Sequence, residues 1–591
     1  MKPRVIAALG LCALATPFAL LSLLCWWLLV CRWMPGTSRA RRGLYAFFVV
    51  YAINASILTA LAVADRPCNP VVVLAVLLIA GGLAAGRPGR EGRVPRFSRS
   101  DAYAVSFGAI TLVVLSRQLI GASIGKTMAL LSQTTDGATH VQYLVAISRI
   151  HGYFQLHPPA GLSPGSEHYP TAWHGNLWIA ARLALGEHPS TPSLIRLLAL
   201  AAVGSYAVLA CISALLVLEL RTASTARLPL AALGGLAALS LAVLFGFGTL
   251  FLQLASYTQV AAIAALLTAA LLAADAASEP LPCLAVLAAL AVSLMQSWYL
   301  LAPLLLAVSI VVLHAARIRI RAVAITAVAS APFVLYPVVT GPRAAHVDAA
   351  GPTLLPTLPG LLGLLAATGL GFASLARARP STAMARAVLV ATLASLFTLV
   401  LLVLTQGFQP GSGVTYYAAK LLLTTLWMGA VLASAPVVAW VSEPGTRAGW
   451  VAGGAITGLV ACMWSTASVT VPPQLANYHA GKAALTLDAI FTLHPHGDPA
   501  GTETLVASGC DHVADGISSK WLFDTSLSWT PGLQRDLNAY SASRRGDVSA
   551  IEARLRDPDV KRLELVVRGD CEPAAMARLA SHPQVRVIRL R

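Results

Sequence analysis

Hydrophobic runs of about 18 or more residues fill the chain from near residue 9 to near residue 470. Each run is long enough to cross about 30 Å of hydrocarbon as an α-helix. The first, LCALATPFALLSLLCWWLLV at 11–30, is too long for a signal-peptide core and ends without a small-residue cleavage site, so we interpret it as a span. The pattern predicts a polytopic α-helical membrane protein with about 13–14 transmembrane helices.

After about residue 470 the pattern changes to short apolar stretches separated by charged residues and turn signals. Three stretches are typical of strands, namely ETLVAS, RLELVVRG and VRVIRLR. Two others, IEARLRD and EPAAMARLASH, are typical of amphipathic helices. The sequence therefore predicts a membrane body over residues 1–473 and a small soluble α/β domain over residues 474–591.

Composition supports the membrane assignment. The 591 residues are 57% hydrophobic and 11% charged, with a mean hydropathy of +0.72. So few charges cannot cover the surface of a water-soluble body of this size. The lipid bilayer is thus the first expected partner.

The net charge of +17 lies mainly in a few loops, which argues against nucleic acid as a partner. Arginines cluster at 39–42, 87–99, 317–321 and 377–386, and the positive-inside rule makes these segments cytoplasmic. The remaining loops then lie outside, at 65–69, 132–193, 251–257, 341–352, 406–417 and everything after about 470. This alternation places the N-terminus outside, although Lys2 and Arg4 would favour the cytoplasm. We expect a multi-pass plasma-membrane protein with an extracytoplasmic C-terminal domain.

Two of the nine cysteines, Cys510 and Cys571, fall in the polar C-terminal region. The predicted topology puts this region in an oxidising compartment, where disulfides persist. We hypothesise a Cys510–Cys571 bridge.

The outer segment 132–193 opens with TTDGATHVQYL, which places Asp136 and His140 one helical turn apart. Asp136 could be a general base, or it could cap the helix that starts near Gly137. His140 could bind a divalent metal together with Asp136, contact substrate, or be an interfacial histidine. Val141, Leu144 and Val145 share a face from which His140, Arg149 and His151 point away, which predicts a helix lying in the membrane interface.

The other end of this segment carries a second polar group of residues: Glu167, His168, Tyr169, Trp173 and His174. An aromatic belt at the membrane surface would explain Trp173. It does not explain an acidic residue and two histidines arriving together before a hydrophobic helix. These residues are candidates for a polar substrate site.

Lys420 begins an apolar run just after a Gly/Pro/Ser loop and the pair Tyr416–Tyr417. It could snorkel to the membrane surface, or it could hold an anionic group such as a lipid-linked phosphate. Arg343, in the outer segment TGPRAAHVD, could assist it.

Motifs for other chemistries are missing from the sequence. It contains no Walker A loop, no GxGxxG between a strand and a helix, no HExxH and no CxxC. This argues against an ATP-driven pump and against a cytosolic nucleotide-sugar enzyme.

The run from TTDGATHVQYL through YPTAWHGNLWIAARLAL, followed later by YYAAKLLL, resembles the multi-spanning GT-C glycosyltransferases, and among them the actinobacterial arabinofuranosyltransferases that build cell-wall arabinan. The resemblance implies transfer of a sugar from a polyprenyl-phosphate donor to a polysaccharide acceptor outside the membrane, with no certain cofactor. It implies that Asp136 is the catalytic carboxylate and that Lys420, with Tyr416 or Tyr417, lines the donor phosphate site. The family often carries two acidic residues in this loop, whereas Gly137 follows Asp136 here.

Two alternatives stay open at the level of sequence. A transporter or flippase of lipid-linked sugars would need no chemistry, but transporters usually bury ionisable residues at mid-membrane and often carry repeated halves. A catalytically inactive glycan-binding scaffold would need neither a base nor a donor site.

Overall fold

The structure is a computed structural model that describes residues 24–34, 37–86, 98–117, 119–131, 136–159, 162, 168–186, 189–220, 256–341, 382–406, 415–442, 473–494, 501–506, 518, 548–568 and 579–590. Within these ranges the chain is mostly helical. The first seven helices are α1 Leu24–Trp33, α2 Arg39–Val63, α3 Pro70–Gly86, α4 Arg99–Ser116, α5 Ile124–Leu131, α6 Asp136–Ile150 and α7 Ala172–Leu185. The next eight are α8 Thr191–Glu219, α9 Tyr257–Asp275, α10 Pro280–Trp298, α11 Ala302–Ala316, α12 Ile320–Thr340, α13 Ala383–Gln406, α14 Tyr416–Ser442 and α15 Pro473–Leu493.

In the described part of the chain, six helical stretches are long and apolar enough to cross a membrane: α2, α8, α9, the run Pro280–Ala316, α12 and Ala383–Thr405 of α13. The run Pro280–Ala316 joins α10 and α11 through a 3₁₀ turn, Tyr299–Leu301. Three shorter apolar helices accompany them: α1, Pro70–Leu83 of α3 and Tyr417–Leu432 of α14. A polytopic helical body is thus confirmed, while the total of 13–14 spans stays a prediction because some predicted spans lie outside the described residues.

Helix α9 lies at the centre of the body. It is apolar on all sides and rich in alanine, and nearly all of its residues are buried. Small side chains let neighbouring helices approach closely, and α9 contacts α8, α10, α11 and α13. The contacts made at each end of α9 therefore identify which ends of the neighbouring helices lie on the same side of the bundle.

At the C-terminal end of α9, ion pairs tie three helices. Asp275 Oδ1 lies 2.9 Å from Arg41 Nη1, and the Tyr45 hydroxyl donates to Asp275 Oδ2 at 2.7 Å. Arg41 Nη2 also lies 3.6 Å from Glu219 Oε2. Arg41, from a cluster predicted to be a cytoplasmic loop, thus lies in the first turn of α2 with its charge paired at this end of the bundle. Pairing is needed because an isolated buried charge is costly.

The C-terminal region forms a parallel three-stranded sheet of order β1-β2-β3, with β1 Thr502–Val506, β2 Arg562–Arg568 and β3 Val585–Leu590. Thr502 pairs with Arg562, and Leu563 with Val585. Helix α16, Val548–Leu555, falls between β1 and β2 in sequence, as a parallel pair requires a crossover. The three predicted strands and the helix at IEARLRD are confirmed. Most of EPAAMARLASH lies outside the described residues, as do Cys510 and Cys571.

Helix α15 connects the membrane body to this sheet. The backbone N–H of Gly125 in α5 donates to Asp488 Oδ1 of α15 at 2.7 Å. Just after α15, His494 Nε2 lies 2.7 Å from Glu564 Oε2 on β2. Arg586 Nη1 reaches the other oxygen of this buried carboxylate at 3.2 Å, so the charge of Glu564 is compensated.

Candidate functional site

Helix α6 begins at Asp136, whose side chain lies outside the described part of the structure. One turn later, His140 is buried, and so is Gln142. That α6 lies in the membrane interface stays a prediction; its first turns are buried in the protein, whereas Arg149 is exposed. The reason is tertiary packing: α6 is covered by α7 and α8, which bury its polar residues together with its apolar ones.

His140 and His174 form a buried imidazole pair. His140 Nδ1 lies 2.8 Å from His174 Nε2, and the rings stack with centroids 5.0 Å apart and 15° between their planes. Tyr143, Tyr169 and Trp173 surround the pair at ring distances of 5.1 to 6.3 Å from His174. Two of the predicted polar groups, from opposite ends of segment 132–193, are thus in direct contact.

Burial, and after it the neighbouring His140, lower the pKa of His174 well below its usual range, so His174 is neutral at pH 7. Its Nδ1 is buried and has no hydrogen-bond partner among the described residues. A buried N–H without a partner is rarer than an unpaired acceptor, which favours a bare Nδ1 and a proton on Nε2. His174 then donates to His140 Nδ1, so the ring proton of His140 lies on Nε2.

Helix α7 carries Trp173 and His174, and a glycine brings it close to α2. A Cβ on Gly175 would lie 2.6 Å from Leu58 Cδ1 and 2.7 Å from the Tyr153 ring. Any side chain here would force Leu58 and Tyr153 to move. Trp173 is fixed as well, because its Nε1–H donates to Ser205 Oγ on α8 at 3.0 Å.

Hydrogen bonds to several elements hold the segment before α7. His168 Nδ1 donates to the Thr340 carbonyl at the end of α12 at 2.9 Å. The Tyr169 hydroxyl lies 2.8 Å from Thr258 Oγ1 on α9. Gln155 Nε2 donates to the Tyr169 carbonyl at 2.8 Å. Gln155 was not among the residues predicted from the sequence. Glu167 lies outside the described residues.

The first residues of α9 connect this cluster to Lys420. The Tyr257 hydroxyl donates to the Leu131 carbonyl at the end of α5, and its ring lies 4.8 Å from that of His140. Two residues later, Gln259 Nε2 donates to the Lys420 carbonyl at 2.6 Å and to Thr424 Oγ1 at 2.8 Å. Two residues in the first turn of α9, Tyr257 and Gln259, thus contact α5, α6 and α14.

Sequence reasoning placed 251–257 outside but named none of these α9 residues. Their signal is the polar run SYTQ at the start of an otherwise apolar helix.

Lys420 is buried, with 5% of its surface exposed, in the second turn of α14. A lysine that snorkels keeps its charged head in water, so the burial of Lys420 disfavours the snorkelling interpretation. Tyr417 is half-buried, whereas Tyr416 opens the helix with its side chain outside the described part, and Arg343 is not described.

Segments predicted to share the outer side meet at one end of the bundle. Besides the contacts above, Cys68 N–H donates to the His151 carbonyl at 2.6 Å, which brings 65–69 to the same end. Burial raises the pKa of the Cys68 thiol to about 11, so it is a protonated, inert thiol. The Arg41–Asp275 pair lies at the opposite end of α2 and α9.

The described side chains contain no group of three or more His, Cys, Asp or Glu that could hold a metal ion. The predicted Asp136–His140 metal pair stays a prediction, since one of its two side chains is not described.

Compared with known proteins, the chain matches no family model and no curated protein.

Proposed function

We propose that the chain is an inverting membrane glycosyltransferase that moves a sugar from a polyprenyl-phosphate donor to a cell-envelope polysaccharide at the outer face. The resemblance to arabinofuranosyltransferases suggests arabinofuranose as the sugar. One observation carries the proposal. The start of α9 contacts His140, Tyr169 and the backbone carbonyl of Lys420. The residues expected to bind the acceptor and the donor therefore lie at one end of the bundle.

In this mechanism Asp136 takes the proton from the acceptor hydroxyl as the oxygen attacks the anomeric carbon. A positioned general base contributes about 10²–10⁴ in rate. The bond from the anomeric carbon to the phosphate oxygen breaks, and the phosphate leaves as an anion that needs no acid. The start of α6 at Asp136, one turn before the buried His140, supports this role.

The leaving phosphate needs positive charge. His174 is neutral because of its burial, so the His140–His174 pair offers hydrogen bonds but no counter-charge from His174. Lys420 supplies the cation, because an ammonium group inside the bundle interacts with an anion more strongly than one in water. Tyr169 and the His140–His174 pair then orient the sugar and acceptor hydroxyls.

The test is sugar transfer by the purified protein in nanodiscs, with a panel of polyprenyl-phosphate sugars and oligosaccharide acceptors. Asp136→Asn should lower the rate by at least about 10²-fold. Asp65→Asn is the matched control, since Asp65 is an exposed acid after α2, and it should transfer at the wild-type rate.

Lys420→Met should lower transfer and raise the donor KM by about tenfold or more, while Lys420→Arg should keep part of the activity. If no donor supports transfer by the wild type while donor binding persists, the enzyme proposal fails and a flippase or scaffold takes its place.

A further inference from the structure

A cavity of about 470 Å³ lies between α2, α3, α7, α8 and α9, beside the histidine cluster. Trp173 forms part of its wall, and most of the remaining lining is aliphatic or aromatic. Phe47 and Ala180 line it and are exposed, so it reaches the surface of the bundle. Its size suits a small hydrophobic ligand or a lipid chain. No charged residue is among the described side chains of the lining.

One polar atom in this lining is left without a partner. Asn176 Nδ2 donates to the Ala172 carbonyl at 2.9 Å, which fixes the orientation of that amide. Asn176 Oδ1 must therefore accept, and it takes a hydrogen bond from Asn54 Nδ2 at 2.9 Å. Asn54 is 8% exposed, and its Oδ1 has no hydrogen-bond partner within the described structure. Asn54, which lines the apolar cavity, thus carries a buried acceptor without a partner.

We propose that this cavity binds a neutral lipid that carries a hydroxyl group, such as diacylglycerol, with the hydroxyl donating to Asn54 Oδ1. An unpaired buried amide costs free energy, and within a bilayer water is scarce, so a donor from a membrane-resident molecule is the natural partner. The absence of a cationic side chain from the described lining disfavours a phosphate head. A prenyl chain fits poorly too, because it has no donor.

The position of the site suggests how the lipid acts. Trp173 separates the cavity from His174, and its indole N–H is held by Ser205, which also lines the cavity. A bound lipid would therefore pack against the residues that position the imidazole pair. The inference concerns a second lipid site and does not depend on which reaction the protein catalyses.

Photo-crosslinking tests the proposal in phosphatidylcholine nanodiscs that contain a few per cent of diacylglycerol with a diazirine on one acyl chain. The matched probe is the same lipid with its hydroxyl acetylated. Labelling of peptides from α7 and α8 should be about tenfold stronger for the hydroxyl lipid, the ratio expected for one buried hydrogen bond. Asn54→Leu should reduce the two probes to the same level.

A second variant narrows the cavity. A Cβ on Gly204 meets nothing within 4 Å and Gly204 lines the cavity, so Gly204→Leu should weaken labelling by several-fold. Gly82→Leu is the control, since Gly82 also has open space but lies outside the lining, and it should label like the wild type.

Three results would overturn the proposal. Equal labelling by both probes would show that Asn54 Oδ1 is not used, and labelling unchanged by Gly204→Leu would place the lipid elsewhere. Labelling only by a diazirine polyprenyl phosphate, or by no lipid, would assign the cavity to a prenyl chain or to water.

Discussion

His174 is a titratable side chain that is fully buried beside a second imidazole. Because its pKa is lowered in the folded protein, His174 binds a proton more weakly there than in the unfolded chain, where a histidine titrates near pH 6.5. The stability that this group contributes is fully present above about pH 6.5 and is lost as the pH falls toward the lower pKa of the folded state. The imidazole pair therefore makes this end of the bundle sensitive to acid.

We expect the melting temperature of the wild type to decrease as the pH is lowered from 7.5 to 5.5. The His174→Gln variant should show a weaker dependence on pH. Glutamine can still donate to His140 Nδ1 but takes no proton. His157→Gln should melt like the wild type at both pH values, because His157 is 65% exposed. A His174→Gln profile as steep as that of the wild type would assign the acid sensitivity to other groups.

The position of single polar residues was only partly predictable. The sequence named His140, Tyr169 and His174 as polar residues in an apolar chain, which composition alone makes conspicuous. The contact between His140 and His174 joins residues 34 apart and depends on how α6 packs against α7, so no local pattern encodes it. The amide of Asn54 was missed because one asparagine within an apolar run has no periodic signal.

At the scale of whole elements, α9 is the helix through which the site is assembled. The pattern of apolar runs predicted that 251–257 and 406–417 share a side with 132–193, since alternation of spans fixes the parity of each loop. It could not predict that Tyr257 and Gln259 would bridge these segments. Polar residues at the start of an apolar run are equally typical of an ordinary helix end, so they do not indicate contacts with other segments.

Gln259 provides the test of this role for α9. Gln259→Leu removes the bonds to the Lys420 carbonyl and Thr424 Oγ1. We expect a loss of about 1 kcal/mol of stability, in the range measured for hydrogen bonds between membrane helices, and a larger relative loss of transfer activity because α14 shifts against α9.

Thr405→Val is a control for the loss of a hydroxyl bond within one helix, since Thr405 Oγ1 donates only to carbonyls of its own helix among described residues. Equal effects of the two substitutions on transfer would contradict a role for α9 in positioning Lys420.

For the molecule as a whole, the two ends of the bundle have different chemistry. One end gathers imidazoles, tyrosines and Lys420, and the other holds the Arg41–Asp275 ion pair. The positive-inside rule assigns the first end to the outside.

Two matched substitutions test this orientation in a background without native cysteines. Ala64 follows α2 at one end, Ala277 follows α9 at the other, and both are exposed. A membrane-impermeant maleimide added to intact cells should label Ala64→Cys and leave Ala277→Cys unlabelled until the membrane is permeabilised. The reverse pattern would invert the whole topology and put the candidate site in the cytoplasm.

The C-terminal sheet is the last part whose role follows from its place in the molecule. It is tied to the body through α15, which packs against α5, and α5 ends at Leu131, shortly before Asp136. We propose that the domain holds the acceptor polysaccharide beside the site. Truncation after His494 leaves α15 and its bond to Gly125 in place.

The truncated protein should show an acceptor KM raised about tenfold or more and a donor KM within about twofold of the full chain, because the proposed donor contacts lie in the membrane body. Glu564→Gln in the full chain, which weakens the bond to His494 while keeping the sheet, should shift the acceptor KM in the same direction by a smaller factor. An acceptor KM unchanged by truncation would assign the domain a role other than acceptor binding.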